Sequence, residues 1–131
     1  MGFGEYRTIV ESEFLKEVTS LHHVVCHFFH DDFQRCKIVD DKLRVIARAH
    51  PGVKFIRLNV EKAPFMVAKL QVKMLPTILL FTDGVVKDRI VGFDELGGRD
   101  VFPTRLVSAL NLNLTHSTFF MLLYSVVGVS V

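Results

Sequence analysis

Five segments of the 131-residue chain have the dense or alternating apolar pattern of β-strands. The densest run, HVVCHFF, combines Val, Cys and Phe and is typical of a central strand that is buried on both faces. The last two segments flank Asp83-Gly84, a dipeptide that favours a tight hairpin turn. The predicted strands are Tyr6–Val10, His23–Phe29, Val53–Val60, Pro76–Phe81 and Val85–Phe93.

Four further segments have helical spacing and are interleaved with the strands. The second of them has the clearest apolar stripe, and Pro51-Gly52 ends it. That stripe consists of Ile38, Val39, Leu43, Ile46 and Ala47. The predicted helices are Glu13–Thr19, Phe33–Ala49, Ala63–Leu70 and Val101–Leu110. The order β-α-β-α-β-α-β-β-α predicts an α/β fold, in which a mixed sheet has helices on both faces.

The composition is that of one folded globular domain, with 50% hydrophobic and 23% charged residues. The net charge is only +2 and the two signs are interleaved, so no basic patch predicts nucleic acid as a partner. The chain has two cysteines and no apolar signal segment near its N-terminus. These features favour a reducing, cytoplasmic location.

The C-terminal segment differs from the rest because it has no charged residue from Leu106 onward. We expect residues 1–110 to form the domain and residues 111–131 to be an uncharged apolar tail outside its core. The densest apolar run, Phe119–Val131, is shorter than the roughly 20 residues that a spanning helix needs. The pattern therefore does not favour a membrane anchor, although the tail leaves that alternative open.

Several sequence motifs, in order, resemble thioredoxin: VVCHFF before a loop, RCK opening a long helix, and MLPT from Met74 to Thr77. In the thioredoxin fold the proline of the last motif is cis, so the resemblance implies a cis Leu75–Pro76 bond facing the loop. A closer resemblance is to the thioredoxin domain-containing protein nine group, which belongs with the phosducin-like proteins. The segments GEYRTI, RCKIVDDKL, KFIRLNVEKAPF and GFDELG are similar to that group.

The resemblance implies a protein that lost the chemistry of thioredoxin. The thioredoxin motif Trp-Cys-Gly-Pro-Cys-Lys aligns with Asp32 to Lys37, so Phe33 stands where the attacking cysteine belongs. Cys36 occupies the second position, where a thiol resolves a mixed disulfide that the first thiol must form. We therefore expect no catalytic residue. No cofactor or metal is expected either. The vestigial positions are Phe33, Gln34, Arg35 and Cys36.

The function implied by the resemblance is that of a binding domain in cytosolic protein folding. The group is described as regulators of the chaperonin that folds actin and tubulin, so chaperonin and its clients are the expected partners. The expected contact residues are Asp32, Phe33, Arg35, Leu75 and Pro76. One alternative is a thiol oxidoreductase or redox sensor that uses Cys36 alone. Another is a truncated or alternatively spliced product that lacks the family's flanking segments.

Other polar residues have simpler interpretations. Cys26 and His27 alternate along one strand, so only one of them faces the helix that contains Cys36, and a disulfide is not expected. In thioredoxins a buried acid occupies the position of His27, so the resemblance implies that this acid is absent here. The histidines have no spacing typical of a metal site. They include His22, His23, His27 and His30.

The polar side of the second helix is expected to be a solvated face, with a partner surface as the alternative. We predict a stabilising i,i+4 pair between Asp40 and Arg44 on this face. Its predicted exposed residues are Lys37, Asp40, Asp41, Arg44 and Arg48. In the third strand, Lys54, Arg57 and Asn59 are predicted to point outward.

Overall fold

The computed structural model describes residues 4–92. Its strands are β1 (Tyr6–Ile9), β2 (His23–Phe29), β3 (Lys54–Asn59), β4 (Thr77–Thr82) and β5 (Val85–Val91). Its helices are α1 (Phe14–Val18), α2 (Gln34–Ala49) and α3 (Pro64–Lys69), with 3₁₀ turns at Glu11–Glu13 and Val60–Lys62. The predicted helix Val101–Leu110, the tail and the expected boundary between them lie outside the described residues.

The strands form one mixed sheet in the order β1-β3-β2-β4-β5. β1 and β2 are both parallel to β3, whereas β4 is antiparallel to β2 and β5 is antiparallel to β4. β2 is central, as its apolar pattern predicted: Phe28 is in register with Leu58 on one side and Thr77 on the other. The predicted α/β architecture, a thioredoxin fold, is confirmed.

Helices cover both faces of this sheet, which gives two apolar layers. On one face α2 packs Val39, Leu43 and Ile46 against the sheet. On the other face Phe14 of α1 lies 6.1 Å from Phe28 and 5.8 Å from Phe81 between ring centroids. A Leu→Ala change at a fully buried site of this kind costs about 2–5 kcal/mol.

Several predictions about individual side chains are wrong. Asn59 is buried rather than outward, and its Oδ1 accepts a hydrogen bond from the Glu61 N–H at 3.0 Å. Ile38 is exposed on α2 rather than buried, because the helix turns its neighbour Val39 toward the sheet. Lys54 is buried, not outward, and its ammonium group pairs with the Glu17 carboxylate of α1. Glu17 also accepts a hydrogen bond from Arg7 at 2.6 Å, so one acid links β1, α1 and β3.

The closing hairpin turns at Asp83-Gly84, as predicted. Both residues have positive φ, 52° and 79°, which is the backbone that a two-residue turn of the I′ type requires. Glycine adopts this conformation without strain, and Asp is one of the few other residues that tolerate it. The hairpin therefore follows from local sequence.

The loop after β2 and the Leu75–Pro76 peptide lie at the same end of the sheet. The parallel strands β1, β2 and β3 end there, and the antiparallel β4 begins there. The loop after β2 and the Leu75–Pro76 peptide are consequently neighbours at this edge, and that peptide bond is cis as expected. Within residues 4–92, no helix has the length and apolar character needed to cross a membrane.

Candidate functional site

Phe33 forms the N-cap of α2 and lies at the edge described above. Its N–H donates to the His30 carbonyl and its own carbonyl accepts from the Cys36 N–H, both at 3.1 Å. The Phe33 ring is 46% exposed and stands edge-on to the His30 ring, with centroids 5.8 Å apart. The position aligned with the thioredoxin nucleophile is thus an exposed aromatic ring.

Cys36 lies in the first turn of α2 and is only 1% exposed. Burial raises the pKa of the Cys36 thiol, and the Asp40 charge raises it further, against a backbone hydrogen bond from His30 and the charge of Arg57. A neutral thiol is a poor nucleophile. The geometry therefore gives Cys36 the properties of a core side chain.

Cys26 lies on the opposite face of the sheet, among the side chains beneath α1 and α3. Burial raises the pKa of its thiol strongly. Both cysteines are free and buried. The strand alternation is as expected, and His27 is the residue that faces α2.

His27 and Asp40 form the polar centre behind the loop. The Nδ1 atom of His27 lies 3.0 Å from Oδ1 of Asp40, and both side chains are buried. The Tyr6 hydroxyl donates to the same Oδ1 at 2.5 Å. The prediction that Asp40 is exposed and pairs with Arg44 is therefore wrong; Arg44 pairs with Asp41 at 3.1 Å.

Arg57 completes this cluster from β3. One of its terminal nitrogens lies 3.2 Å from Oδ2 of Asp40, and the other donates to Thr8 Oγ1 at 2.9 Å. Its guanidinium lies over the Phe29 ring, 3.6 Å from the centroid, which is a close cation–π contact. Arg57 is thus half-buried and engaged, rather than directed outward as predicted.

The charge states follow from these contacts. Burial opposes ionisation of Asp40, but hydrogen bonds from His27 and Tyr6 and the charge of Arg57 outweigh it and lower the pKa of the carboxyl. Burial lowers the pKa of His27, against the opposing effect of Asp40, so the imidazole is neutral. A carboxylate that accepts from Nδ1 fixes the tautomer with hydrogen on Nδ1. Nε2 then has no partner within residues 4–92.

The resemblance implied that the buried acid of thioredoxins is absent here, because His27 stands in its place. The structure supplies a buried carboxylate from another element, α2. Sequence reasoning missed Asp40, although a signal existed. Asp40 follows Cys36 by four residues and precedes Leu43 by three, which places it on the buried stripe of the helix.

The expected contact residues surround this edge. Asp32 and Arg35 are exposed on the loop and the first turn of α2, and Leu75 is half-buried beside the buried Pro76. Pro76 accepts a hydrogen bond from the Gly92 N–H at 2.8 Å, which ties the cis bond to the end of β5. Met74 is 57% exposed, and an added Cβ on Gly92 would lie only 3.0 Å from its sulfur. The structure thus places the five residues at one edge.

The two histidines that flank β2, His22 and His30, each have a carboxylate partner. His22 Nδ1 lies 2.6 Å from Asp83 Oδ1, and His30 Nε2 lies 2.6 Å from Glu61 Oε2. Within the described part of the chain, no group of three or more His, Cys, Asp or Glu residues is arranged to hold a metal ion. These pairs connect loops to neighbouring elements.

The sheet order, the cis-proline and the loop before α2 define a thioredoxin-fold protein. The chain belongs to the thioredoxin family, whose model matches residues 5–98. A thioredoxin mutant from Halobacterium salinarum NRC-1 superimposes with a TM-score of 0.73 at 18% identity, covering 86% of this chain and 96% of that one. At this identity the similarity shows the fold alone.

Curated relatives are much more similar in sequence. Phosducin-like protein 3 of Dictyostelium discoideum is 47% identical over 120 residues, which is 88% of this chain and 65% of the relative. Human thioredoxin domain-containing protein 9 is 47% identical over 104 residues, 79% of this chain and 46% of the relative. The resemblance to the phosducin-like group is confirmed, and the chain spans about half to two thirds of these relatives.

Proposed function

We propose that this chain provides a redox-inactive, protein-binding thioredoxin domain that acts in cytosolic protein folding. By analogy with the phosducin-like group, it would regulate the chaperonin that folds actin and tubulin. The observation that supports the proposal is Phe33, an exposed ring at the cap of α2 where the attacking thiol would be. The chain has the loop and the cis-proline edge of a thioredoxin, but it lacks the nucleophile on which thioredoxin redox chemistry depends.

The binding surface that we propose is the edge formed by the loop and Leu75–Pro76. Phe33 and Met74 offer exposed apolar area, while Asp32 and Arg35 beside them offer polar contacts. Exposed aromatic side chains on a rigid scaffold are typical anchors of protein interfaces. A polypeptide that covers Phe33 removes apolar surface from water, and this burial contributes about 25 cal/mol of favourable binding free energy per Å².

The neutral, buried Cys36 argues against the redox alternative. A sensor thiol needs exposure and thiolate character, whereas Cys36 is buried and lies near the Asp40 charge. Because the chain corresponds to only part of its relatives, chaperonin contacts made by their remaining residues would be additional to this surface.

The test uses the full chain, purified chaperonin and chaperonin-dependent folding of actin or tubulin. Phe33→Ala should weaken chaperonin binding by roughly tenfold, since anchors of this kind contribute about 1–2 kcal/mol. Leu15→Ala is the matched control, because Leu15 is also an exposed apolar residue, 68% accessible, but lies on α1. Arg35→Glu tests the polar contact beside the ring.

Three outcomes decide the matter. Loss of binding with Phe33→Ala and Arg35→Glu, but not with Leu15→Ala, supports the proposed surface. Equal binding by all variants shows that this edge is not the site. Failure of the unaltered chain to bind chaperonin or to change actin or tubulin folding contradicts the proposed regulation.

A further inference from the structure

The outward face of α2 has an excess of positive charge that the sequence conceals. Its sequence has two adjacent acids, but Asp40 is turned inward and bound by His27, Tyr6 and Arg57. Asp41 is then the acid left on the outer side of the helix, and it pairs with Arg44. The exposed cations of this face are Lys37, Arg44 and Arg48, whereas Lys42 is half-buried on the flank of the helix.

These cations differ in how far they are already neutralised. Within residues 4–92, Lys37, Lys42 and Arg48 take part in no ion pair. Arg44 is held between Asp41 and the Tyr6 ring, whose centroid lies 5.7 Å from the guanidinium carbon. The face therefore presents two cations without a described acidic partner, Lys37 and Arg48, beside one Arg that is positioned by its neighbours.

The spacing of these cations suits an extended chain. Lys37, Arg44 and Arg48 follow one another at i, i+7 and i+11, so they lie along one stripe of the helix. At 1.5 Å per residue the steps are about 10 Å and 6 Å. An extended polypeptide advances about 3.3 Å per residue, so carboxylates three and then two residues apart match these steps.

We infer that the outward face of α2 binds an acidic segment of a partner polypeptide in extended conformation. Flexible acidic side chains can reach Lys37 and Arg48 while avoiding Asp41 in the middle of the stripe. This surface adjoins the loop at Lys37 but runs along α2 to Arg48, away from the cis-proline edge, and it does not require the function proposed above.

Nucleic acid and lipid fit this face less well. The exposed side of α2 has no aromatic ring on which a base could stack. Its one exposed large apolar side chain is Ile38, whereas helices that lie on membranes insert a broad apolar face.

The experiment measures binding of a fluorescent oligoglutamate of about eight residues to the full chain by anisotropy at low salt, with an oligoglutamine as the neutral probe. The double variant Lys37→Glu/Arg48→Glu should weaken oligoglutamate binding about tenfold or more, since it converts two attractions into repulsions. Salt at about 0.15 M should weaken binding by the unaltered chain, because exposed charges are screened.

The matched control is Lys16→Glu/Lys69→Glu. These two exposed lysines belong to α1 and α3 on the other face of the sheet, and the change in net charge is the same. A loss with the α2 variant that the control does not share supports the inference. An equal loss in both variants means that binding follows total charge and overturns it.

Two further arms test the class of partner. Oligothymidylate of similar length and phosphatidylserine vesicles are offered to the same proteins. Tighter binding of either one than of oligoglutamate, with sensitivity to the α2 variant, overturns the assignment to an acidic polypeptide. Absence of oligoglutamate binding also overturns it. Phe33→Ala should leave oligoglutamate binding unchanged, which separates this surface from the proposed chaperonin site.

Discussion

His27 of the central strand and Asp40 of α2 form a buried pair behind the loop, with Nδ1 and Oδ1 3.0 Å apart. Tyr6 and Arg57 bind the same carboxylate from β1 and β3. One acid thus connects the helix to three neighbouring strands. Since buried charges are tolerated only when they are paired and hydrogen-bonded, this cluster fixes the rotation of α2 against the sheet.

Removal of the Asp40 carboxylate should destabilise the domain. Asp40→Ala removes the one buried charge that Arg57, Tyr6 and His27 share as an acceptor, and we expect a loss of roughly 2–4 kcal/mol in the free energy of unfolding. Urea unfolding followed by circular dichroism measures the loss. Asp41→Ala is the control and should change stability by less than about 0.5 kcal/mol, because its ion pair is exposed. Similar values for the two variants would contradict the assigned role.

The stability should fall as pH decreases from 7 to 5. Burial lowers the pKa of His27, and also that of His50 and His23, below the ordinary value near 6.5. The unfolded chain then binds more protons below about pH 6.5, so stability is fully present above that pH and is lost toward lower pH. Asp40 adds a loss of the same sign at more acidic pH, because its pKa is also lowered.

Replacing His27 tests this assignment. His27→Gln should reduce the slope of unfolding free energy against pH between about 5 and 6.5, even though the variant is less stable overall. His30→Gln is the control, because the His30 ring pairs with the exposed Glu61 and lies outside the cluster around His27. An unchanged slope in His27→Gln would assign the pH dependence to other groups.

The chain should not reduce disulfides catalytically. Phe33 cannot attack a disulfide, and the missing step is chemical rather than one of affinity. Insulin reduction with a dithiol recycling system should therefore stay at the background rate. Phe33→Cys should give partial activity, since the new thiol lies at the start of α2, where the helix dipole favours a thiolate. Phe33→Ser is the control; turnover near that of an ordinary thioredoxin by the unaltered chain would refute the prediction.

Two glycines should respond oppositely to alanine. Gly92 has a φ of 78°, and an added Cβ would lie 3.0 Å from the Met74 sulfur, so Gly92→Ala should cost about 1 kcal/mol or more. Gly52 has no atom within 4 Å of the added Cβ, and Gly52→Ala should be neutral or stabilising by up to about 1 kcal/mol. Thermal unfolding of both variants measures the contrast, and equal destabilisation would count against it.

The tail should be dispensable for folding. We expect a chain truncated after Asn111 to unfold cooperatively and to be more soluble, because the removed segment is uncharged and rich in β-branched and aromatic residues. Thermal unfolding and flotation with liposomes are the measurements. Loss of cooperative unfolding would place the tail in the core, and flotation that depends on the tail would identify it as an anchor.

Local sequence determined most of the architecture within residues 4–92. Apolar periodicity located every strand of the sheet, and Asp83-Gly84 determined the hairpin because few other dipeptides accept positive φ at both positions. The central position of β2 followed from a run with no polar side chain other than histidine. Similarity to a known motif predicted the cis Leu75–Pro76 bond and showed that Phe33 stands where thioredoxins have the attacking thiol.

Only the tertiary structure decided how the charged residues are used. Asp40 and Asp41 are adjacent and chemically identical, yet the rotation of α2 buries the first and exposes the second. Lys54 can be buried because its ammonium group pairs with Glu17, which lies on a helix 37 residues earlier in the chain. Periodicity describes one element at a time, whereas the state of a charge depends on which partner the fold brings to it. For that reason the sequence predicted the sheet and its edge, but not the cluster that holds α2 in place.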